Sequence, residues 1–447
     1  MILLINPKTS KAREVQKDFF REPNLGILYL ASVLELNQFS VDILDLEQYI
    51  DFSDLEIQDI IREKIKNYSI FGITSLTNTF HFAINIARII KNQNRDNYVI
   101  LGGPHATFMY KEILESDKKS ENLIDFICIG EAEYSLLKLV ETLLVQKKKN
   151  EKLKNIEEKL KDIKGLAFFD SKGKLYVNDG SYNIDLESLP LPARHKLSQD
   201  HYYYTIANVI VNRGCPNQCS FCSRQKLFKK TKIRSIRSIL SEIRDILLLQ
   251  NYNYVNFYDN ININRDFLRD FCNMFIKHKI NLPWGCEIRV DTITDEEARL
   301  LKSSGCMLVA TGIESASEDV LKRNFKFQDP ENVRRGLMHL KRYNIPIQAY
   351  FVLGLPGETQ ETFQKTIDYI RTLPLDKNDN LNYFVATPYP GSQLWDQRKQ
   401  FKLNFIEFNF KKYDCEHIIF ETPELNKMRL KNLYNIAKEI EKKFKIT

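Results

Sequence analysis

The chain has 447 residues, long enough for two or three packed domains. Hydrophobic residues make up 43% and charged residues 28%, a composition that excludes a disordered or fibrous protein. The formal net charge of +7 favours no nucleic-acid partner, and the lack of an apolar run of about 18 residues or a secretory leader predicts a cytoplasmic protein with no membrane partner.

Residues 1–145 alternate short apolar runs with amphipathic stretches, beginning with MILLIN and LGILYLASVLEL and ending with DFICIG and AEYSLLKLVETLL. A repeated order of strand and helix predicts an α/β domain with a parallel sheet covered on both faces, which is a doubly wound, Rossmann-like fold. The apolar runs end in Asn, Ser or Gly, which suit the turns where such a sheet holds its ligand. This domain is therefore predicted to bind a ligand.

Residues 146–200 are predicted to be a charged linker and a small hairpin. The stretch QKKKNEKLKNIEEKLKDIKG is typical of a solvated helix or linker. The stretch GLAFFDSKGKLYVNDG predicts two short strands and a turn, and DLESLPLPAR predicts an extended connection stiffened by proline. We expect a domain boundary near residue 200.

Residues 201–395 contain six further strand-like runs, from IANVIVNRG to NYFVATPYPG, separated by helical stretches such as RSIRSILSEIRDILLLQ. Six units of this kind predict an incomplete parallel barrel, a partial (β/α)6 fold whose active site lies at the carboxyl ends of its strands. Residues 396–447 are predicted to form a short C-terminal extension, and they carry no motif that indicates a function.

Three of the eight cysteines, Cys215, Cys219 and Cys222, lie together in NRGCPNQCSFCSRQ, just after the first predicted barrel strand. Three thiolates on one loop can bind three corners of a [4Fe–4S] cluster and leave the fourth iron open. S-adenosylmethionine can chelate that iron, and its reduction then yields the 5′-deoxyadenosyl radical. A structural zinc site is the alternative, but it normally needs a second pair of ligands, and none lies nearby in the sequence. The other five cysteines are predicted to be buried apolar side chains.

The spacing CxxxCxxC, with an aromatic residue before the last cysteine, resembles the radical S-adenosylmethionine superfamily. The resemblance implies contacts with the methionine amino group at the second barrel strand, with the carboxylate and ribose at the next two, and with the adenine at a glycine motif. The positions implied are Phe221, Tyr258, Asp259, Asn260, Arg289, Gly312, Glu314, Gly354 and Gly357. Each has a structural alternative, because strand-end turns need Gly and Asn anyway and Arg289 could form a salt bridge within the barrel.

The resemblance extends over almost the whole chain to the cobalamin-binding radical S-adenosylmethionine proteins, the group that includes the anaerobic Mg-protoporphyrin ester cyclase. It rests on PNLGILYLASVL, GITSLTNTF, LGGPHAT and DFICIGEAEYSL, and it implies cobalamin in the first domain. The positions implied are Ser75, Thr77, Gly102, Gly103, Pro104, His105, Gly130 and Glu131. The alternative is a purely structural domain that has lost its ligand.

One departure concerns the cobalt ligand. The motif Asp-x-His-x-x-Gly, which supplies a histidine to cobalt, is absent, so we expect cobalt without a histidine beneath it. His105 is expected on a strand-end loop, where a turn residue that bonds the backbone is the competing interpretation.

The resemblance implies reductive cleavage of S-adenosylmethionine, and the first hypothesis is methylation of an unactivated carbon through methylcobalamin. Radical cyclisation, oxidation or rearrangement is the second hypothesis, and a non-catalytic cobalamin or redox sensor is the third. Methylthiolation would need three more cysteines in the first domain, which contains only Cys128.

No catalytic residue beyond the cofactor ligands is predicted. The expected partners are a small-molecule or peptide substrate and an electron donor such as flavodoxin or ferredoxin, which the basic segment KLFKKTKIRSIR could attract.

Overall fold

The computed structural model describes residues 1–9, 22–49, 51–149, 155–197, 204–249 and 251–444. Contacts between residues divide the chain into two compact units, Met1–Tyr203 and Tyr204–Thr447. Among the described helices, none is both long and apolar enough to cross a bilayer.

The first unit contains seven strands and six α-helices within its described residues. The strands are β1 (Ile2–Asn6), β2 (Val41–Asp45), β3 (Ile70–Thr74), β4 (Tyr98–Gly102), β5 (Phe126–Cys128), β6 (Leu166–Phe169) and β7 (Leu175–Asn178). The helices are α1 (Leu25–Leu36), α2 (Asp54–Lys64), α3 (Phe80–Gln93), α4 (Gly103–Lys119), α5 (Glu133–Lys149) and α6 (Glu157–Lys161). Residues 150–154 of the predicted charged linker lie outside the described residues.

The sheet of the first unit has the order β2-β1-β3-β4-β5-β6-β7. Strands β1 to β5 pair in parallel, and all five residues of β1 are buried, as expected for a strand that has helices on both faces. The predicted doubly wound fold is thus confirmed. The order reverses between β1 and β3, so the usual ligand crevice lies at the carboxyl edge of these strands. The hairpin β6–β7 does not stand alone, because β6 pairs with β5 in antiparallel fashion and extends this sheet.

The second unit contains ten strands and nine α-helices within its described residues. The strands are β8 (Ile206–Ile210), β9 (Asn212–Arg213), β10 (Lys232–Ile233), β11 (Tyr254–Asn260), β12 (Trp284–Glu287), β13 (Cys306–Glu314), β14 (Ile347–Leu353), β15 (Asn380–Val385), β16 (Asn404–Phe405) and β17 (Phe420–Glu421). The helices are α7 (Arg224–Leu227), α8 (Ile236–Leu249), α9 (Arg265–Lys277), α10 (Asp295–Ser303), α11 (Glu318–Arg323), α12 (Pro330–Arg342), α13 (Gln360–Thr372), α14 (Gln393–Asp396) and α15 (Lys427–Phe444).

The main sheet of the second unit has six parallel strands in the order β15-β14-β13-β12-β11-β8. This is the predicted partial barrel, and each strand is followed by a loop at the same carboxyl edge. The helix-covered side is tightly packed. Trp284 of β12, for example, lies 5.3 Å from Phe271 of α9 and 5.6 Å from Phe257 of β11, measured between ring centroids.

The C-terminal extension packs on the barrel through helix α15, which contacts β14 and β15. Residues that precede the helix form an apolar cluster with the barrel loops, and Phe221 packs against this cluster. The buried members of the cluster are Val320, Leu355, Ala386, Leu394, Phe401, Tyr413, Ile419 and Phe420. The extension, for which the sequence carries no motif, therefore helps to hold the aromatic residue of the cysteine loop.

Candidate active site

The cysteine loop lies between β9 and α7, at the carboxyl end of the first barrel strand. It begins at Gly214, whose φ of +86° is rarely adopted by other residues and whose hypothetical Cβ would lie 2.7 Å from the carbonyl oxygen of Lys230. A turn follows in which the Cys222 N–H donates to the carbonyl of Cys219, over 3.1 Å. The glycine and the turn bring all three cysteines onto one short loop.

The three thiols fit a [4Fe–4S] cluster. None is in a disulfide, and they are close enough to influence one another electrostatically. Burial raises the pKa of the Cys219 thiol to about 11, and the nearby Lys326 ammonium acts in the opposite direction. Within the described residues, no three Cys, His, Asp or Glu side chains converge on one metal ion. A cubane requires no such convergence, because each thiolate binds a different iron.

Arg289, at the end of β12, is held against the cysteine loop. Its guanidinium donates to both carboxylate oxygens of Asp291, over 3.1 and 2.7 Å, and to the Asn217 side-chain oxygen over 3.0 Å. The Asn217 amide lies 3.5 Å from the Cys215 sulfur and donates to it. Arg289 thus forms a salt bridge within the barrel, which is the structural alternative to its predicted contact with the carboxylate. This salt bridge lies beside the cysteine loop.

Lys326 and Glu314 form an ion pair of 3.0 Å with little exposure, since their side chains are 12% and 7% accessible. Glu314 ends β13 with a φ of +64°. A Cβ on Gly312 would collide with the Glu314 carboxylate and lie 3.2 Å from the Lys326 nitrogen. A larger residue at position 312 would not leave room for this ion pair. Gly312 therefore has a structural reason to be glycine, in addition to its predicted contact with S-adenosylmethionine.

The loop after β14 contains two glycines with left-handed backbone, Gly354 at φ +81° and Gly357 at φ +90°. A Cβ on Gly354 would lie 2.7 Å from the side chain of Leu430 in α15. The Gly354 N–H donates to the carboxylate of Glu358, a side chain that is almost completely buried. Burial raises the pKa of Glu358 to about 8, although the Gly354 N–H acts to lower it. Packing alone thus requires glycine at Gly354, and an adenine contact there stays a prediction.

The predicted amino-group contacts lie at the end of β11. Tyr258 is 38% exposed, and the carbonyl of Asn260 accepts a hydrogen bond of 3.4 Å from the Asn212 side chain. The side chain of Asp259 lies outside the part of the chain that the structure describes.

In the first unit, Ser75 and Gly103 join the end of β3 to the start of α4. The Ser75 N–H and hydroxyl both donate to the carbonyl of Gly102, over 2.9 and 3.0 Å, and the Ser75 carbonyl accepts from the His105 N–H. Gly103 has φ +91°, and its hypothetical Cβ would lie 2.7 Å from the Ser75 oxygen. Gly103 and Ser75 thus have a structural role at this junction, and their predicted contacts with cobalamin stay predictions.

His105 lies in the first turn of α4, directly after Pro104, so its predicted position on a loop is wrong. The helix starts immediately at the end of β4, which leaves no loop residue between them. The ring is buried, packs 4.5 Å from the Phe80 ring and has Nδ1 3.2 Å from the Thr77 hydroxyl. Burial lowers the pKa of His105 to about 4, so the imidazole is neutral at pH 7.

Two glycines at the carboxyl edge of the first sheet have no protein atom close to where a side chain would begin. Gly102 has extended backbone, and the nearest atom to its hypothetical Cβ is 3.9 Å away. Gly130 has φ +77° and no atom within 4 Å of such a Cβ, while its N–H donates to the Thr107 hydroxyl. Glu131 follows and is partly buried. A large planar ligand could approach the backbone at these two glycines, so the edge fits a cobalamin.

The comparison with known proteins finds a family model for a part of each unit. Residues 209–370 match the model of the radical SAM superfamily, and residues 16–140 match that of the B12 binding domain. The chain is 30% identical over 423 residues to an uncharacterized methyltransferase of Pyrococcus horikoshii, an alignment covering 92% of this chain and 86% of the relative. The chain belongs to the cobalamin-binding radical S-adenosylmethionine family. It is also 30% identical over 401 residues to the anaerobic magnesium-protoporphyrin IX monomethyl ester cyclase of Rubrivivax gelatinosus, covering 87% and 69%.

Solved structures share the fold of this family member. The cobalamin-dependent S-adenosylmethionine radical enzyme OxsB with aqua-cobalamin bound has a TM-score of 0.75 at 17% identity, covering 99% of this chain and 67% of that one. The methyltransferase TsrM from Kitasatospora setae, with cobalamin and a [4Fe–4S] cluster bound, has a TM-score of 0.67 at 18% identity, covering 88% and 73%. The chain is therefore an enzyme whose cofactors are a [4Fe–4S] cluster, S-adenosylmethionine and cobalamin.

Several polar residues of this radical S-adenosylmethionine enzyme escape sequence reasoning. Lys326 lies in a segment without a motif, and Ser220 and Asn324 are 104 residues apart yet hydrogen bonded to each other. Glu287, at the end of β12, is partly buried and interacts with Arg224, Lys326 and Glu314; desolvation raises the pKa of its carboxyl. Ser220 lies inside the cysteine motif and Glu287 inside a predicted strand, whereas Asn324 and Lys326 carry no signal in the sequence.

Proposed function

We propose that this enzyme transfers a methyl group to a carbon atom of its substrate. The observation that carries the proposal is the edge at Gly102 and Gly130, free of close protein atoms, in a domain of the B12-binding family, since cobalamin can carry a methyl group to a carbon whereas radical formation alone needs no cobalamin. The similarity to a protein described as a methyltransferase supports it. When bound, the cluster supplies the electron that cleaves S-adenosylmethionine, and cobalamin carries the methyl group.

In this proposal the residues of the protein bind the cluster and S-adenosylmethionine and orient them. Cys215, Cys219 and Cys222 hold the cluster, and the Asn217 amide donates to the sulfur of the first. Arg289 orients Asn217 through the hydrogen bond between their side chains. Most donors of the Arg289 guanidinium are already used by Asp291, Asn217 and a backbone carbonyl, so few remain for a ligand. We therefore assign the carboxylate of S-adenosylmethionine to a different cation of the site.

Lys326 is that cation. Its ammonium carries three donors, and in the structure it is bonded to Glu314 while lying within electrostatic reach of Cys219.

We expect Lys326→Met to lower the free energy of unfolding by roughly 3–5 kcal/mol, because it leaves Glu314 as an unpaired buried charge. The double variant Lys326→Met/Glu314→Gln should recover most of this stability without recovering affinity for S-adenosylmethionine. Thermal unfolding and equilibrium binding to the reconstituted protein measure the two effects, and normal binding by the double variant would contradict the assignment.

The substrate that we propose is polar. On β14 and β15, alternate side chains are buried on the helix-covered side, and the residues between them are partly exposed on the side that faces into the barrel. Gln348 and Asn380 lie at the amino ends of these strands, and the residues that follow toward the carboxyl ends are Tyr350, Val352, Asn382 and Phe384, with Asn256 and Tyr258 on β11. Neutral hydrogen-bonding groups beside aromatic rings suit a substrate rich in hydroxyl or amide groups rather than a hydrocarbon.

The test is the ratio of the products formed with a low-potential donor such as flavodoxin or ferredoxin. Methylation at an unactivated carbon consumes two molecules of S-adenosylmethionine, so 5′-deoxyadenosine and S-adenosylhomocysteine should form in about equal amounts. After incubation of methyl-labelled S-adenosylmethionine with the enzyme and a cell extract, and removal of the residual S-adenosylmethionine, the labelled product that is absent with Cys219→Ala should partition into the aqueous rather than the organic-solvent fraction. Formation of 5′-deoxyadenosine without S-adenosylhomocysteine would instead support cyclisation, oxidation or rearrangement.

A further inference from the structure

The carboxamide of Asn324 connects two loops at the carboxyl edge of the barrel. Asn324 follows α11 and is fully buried. Its side-chain oxygen accepts a 2.7 Å hydrogen bond from the Ser220 hydroxyl in the cysteine loop. Its side-chain nitrogen donates to the carbonyls of Pro356, over 2.9 Å, and Val320, over 2.8 Å. Both N–H donors and the oxygen acceptor of this carboxamide are therefore hydrogen bonded. Their partners include Ser220 in the cysteine loop and Pro356 in the loop after β14.

Ser220 is the residue of the cysteine loop that hydrogen bonds to the Asn324 side chain. It directly follows Cys219 and is fully buried, although the cysteines themselves are partly buried or exposed. Its N–H donates to the backbone carbonyl of Asn324 over 2.9 Å, and its own carbonyl accepts from the Leu394 N–H over 2.9 Å. Ser220 is thus held through its backbone and its side chain, and its position fixes that of the adjacent thiol.

The other partner of the amide is Pro356, in the loop that begins at Gly354. This loop is braced independently by the hydrogen bond from Gly354 to the buried Glu358. Asn324 also precedes the turn that leads to Lys326, in which Phe325 has φ +54° and the Lys326 N–H donates to Leu321 over 2.9 Å. One buried amide therefore lies at the meeting point of the cysteine loop, the Gly354 loop and the turn that carries the Lys326 ammonium.

We propose that Asn324 is a positioning residue that fixes the cysteine loop against the Gly354 loop and so sets where S-adenosylmethionine lies relative to the open iron. The proposal concerns cofactor geometry only, so it holds whether the enzyme methylates or cyclises its substrate. An unsatisfied buried polar group costs about 1–3 kcal/mol, which makes an alternative position of the two loops costly while the amide is intact.

Two variants each remove one arm of the connection. Ser220→Ala removes the hydroxyl that bonds Asn324 and leaves the bonds to Pro356 and Val320. Asn324→Asp retains an acceptor for Ser220 and removes the nitrogen that donates to Pro356 and Val320. The matched control is Ser304→Ala, a buried serine before β13, at the opposite end of the strand, whose hydroxyl donates to the Leu301 carbonyl over 2.8 Å.

The readouts are iron content, the KM for S-adenosylmethionine and the electron paramagnetic resonance change of the reduced cluster when S-adenosylmethionine is added. In Ser220→Ala and Asn324→Asp we expect unchanged iron content, a KM raised about tenfold, which corresponds to one lost buried hydrogen bond, and a smaller spectral change. Ser304→Ala should lower the melting temperature without altering either cofactor readout.

Wild-type KM and spectrum in both variants, with a stability loss like that of Ser304→Ala, would show that Asn324 only stabilises the barrel. A variant that loses iron together with S-adenosylmethionine binding would also overturn the proposal, because Asn324 would then support the cluster ligands rather than position the cofactor.

Discussion

Cys219→Ala is expected to abolish the visible absorbance of the iron–sulfur cluster and with it the formation of 5′-deoxyadenosine. Loss of a group that merely supports a ligand already costs roughly 10- to 100-fold in metal affinity, so loss of one of three direct ligands should cost more than about 100-fold. Cys219 is the central thiol of the loop, and its neighbour Ser220 is anchored to Asn324. The remaining two thiols cannot hold three corners of a cubane.

The matched control is Cys272→Ala, a fully buried cysteine on α9 away from the cysteine loop. It should retain iron, absorbance and activity while losing some stability from the small cavity. Cobalamin retention should be normal in Cys219→Ala, because its B12-binding residues lie in the first unit. An unchanged spectrum in Cys219→Ala would contradict the assignment of the cluster ligands.

Much of the architecture follows from the sequence because it is encoded locally. The short apolar run ILLIN is typical of a strand covered on both faces, and the repetition of such runs with amphipathic stretches predicts the parallel sheet. The loop of three cysteines is equally local, since all of its ligands lie within eight residues, 215–222. Features of this kind need no knowledge of which distant residues meet.

Long-range polar contacts could not be predicted in this way. The bond between Ser220 and Asn324 and the ion pair between Glu314 and Lys326 depend on how loops meet after the barrel has formed. Neither lysine nor asparagine in a loop carries a signal of burial, because both are usually exposed. The pairing of β6 with β5 escaped prediction for the same reason, since a hairpin motif does not indicate which sheet edge it will join.

The glycines show where a motif is ambiguous. A glycine after a strand is compatible with a close ligand, with a left-handed backbone or with a tight contact inside the protein, and sequence alone does not separate these cases. Gly103 and Gly354 are left-handed and would clash with their own protein if substituted, whereas Gly102 is extended and its Cβ would meet only an ordinary contact, 3.9 Å from the Cys128 carbonyl oxygen. Adjacent glycines in one motif therefore meet different structural requirements.

Gly102→Trp is expected to weaken cobalamin binding by roughly 10- to 100-fold, since forcing a bulky side chain into an occupied site costs typically 1–3 kcal/mol and the indole would project from the edge proposed for the corrin. The extended backbone of Gly102 tolerates any residue, so the variant should fold and keep its iron–sulfur cluster. Gly103→Ala supplies the contrast, because its Cβ would press against Ser75 and should destabilise the first unit itself. Cobalamin content after anaerobic gel filtration, compared with thermal unfolding, separates the two effects. Normal cobalamin retention in Gly102→Trp would place the corrin away from β4 and contradict the proposed site.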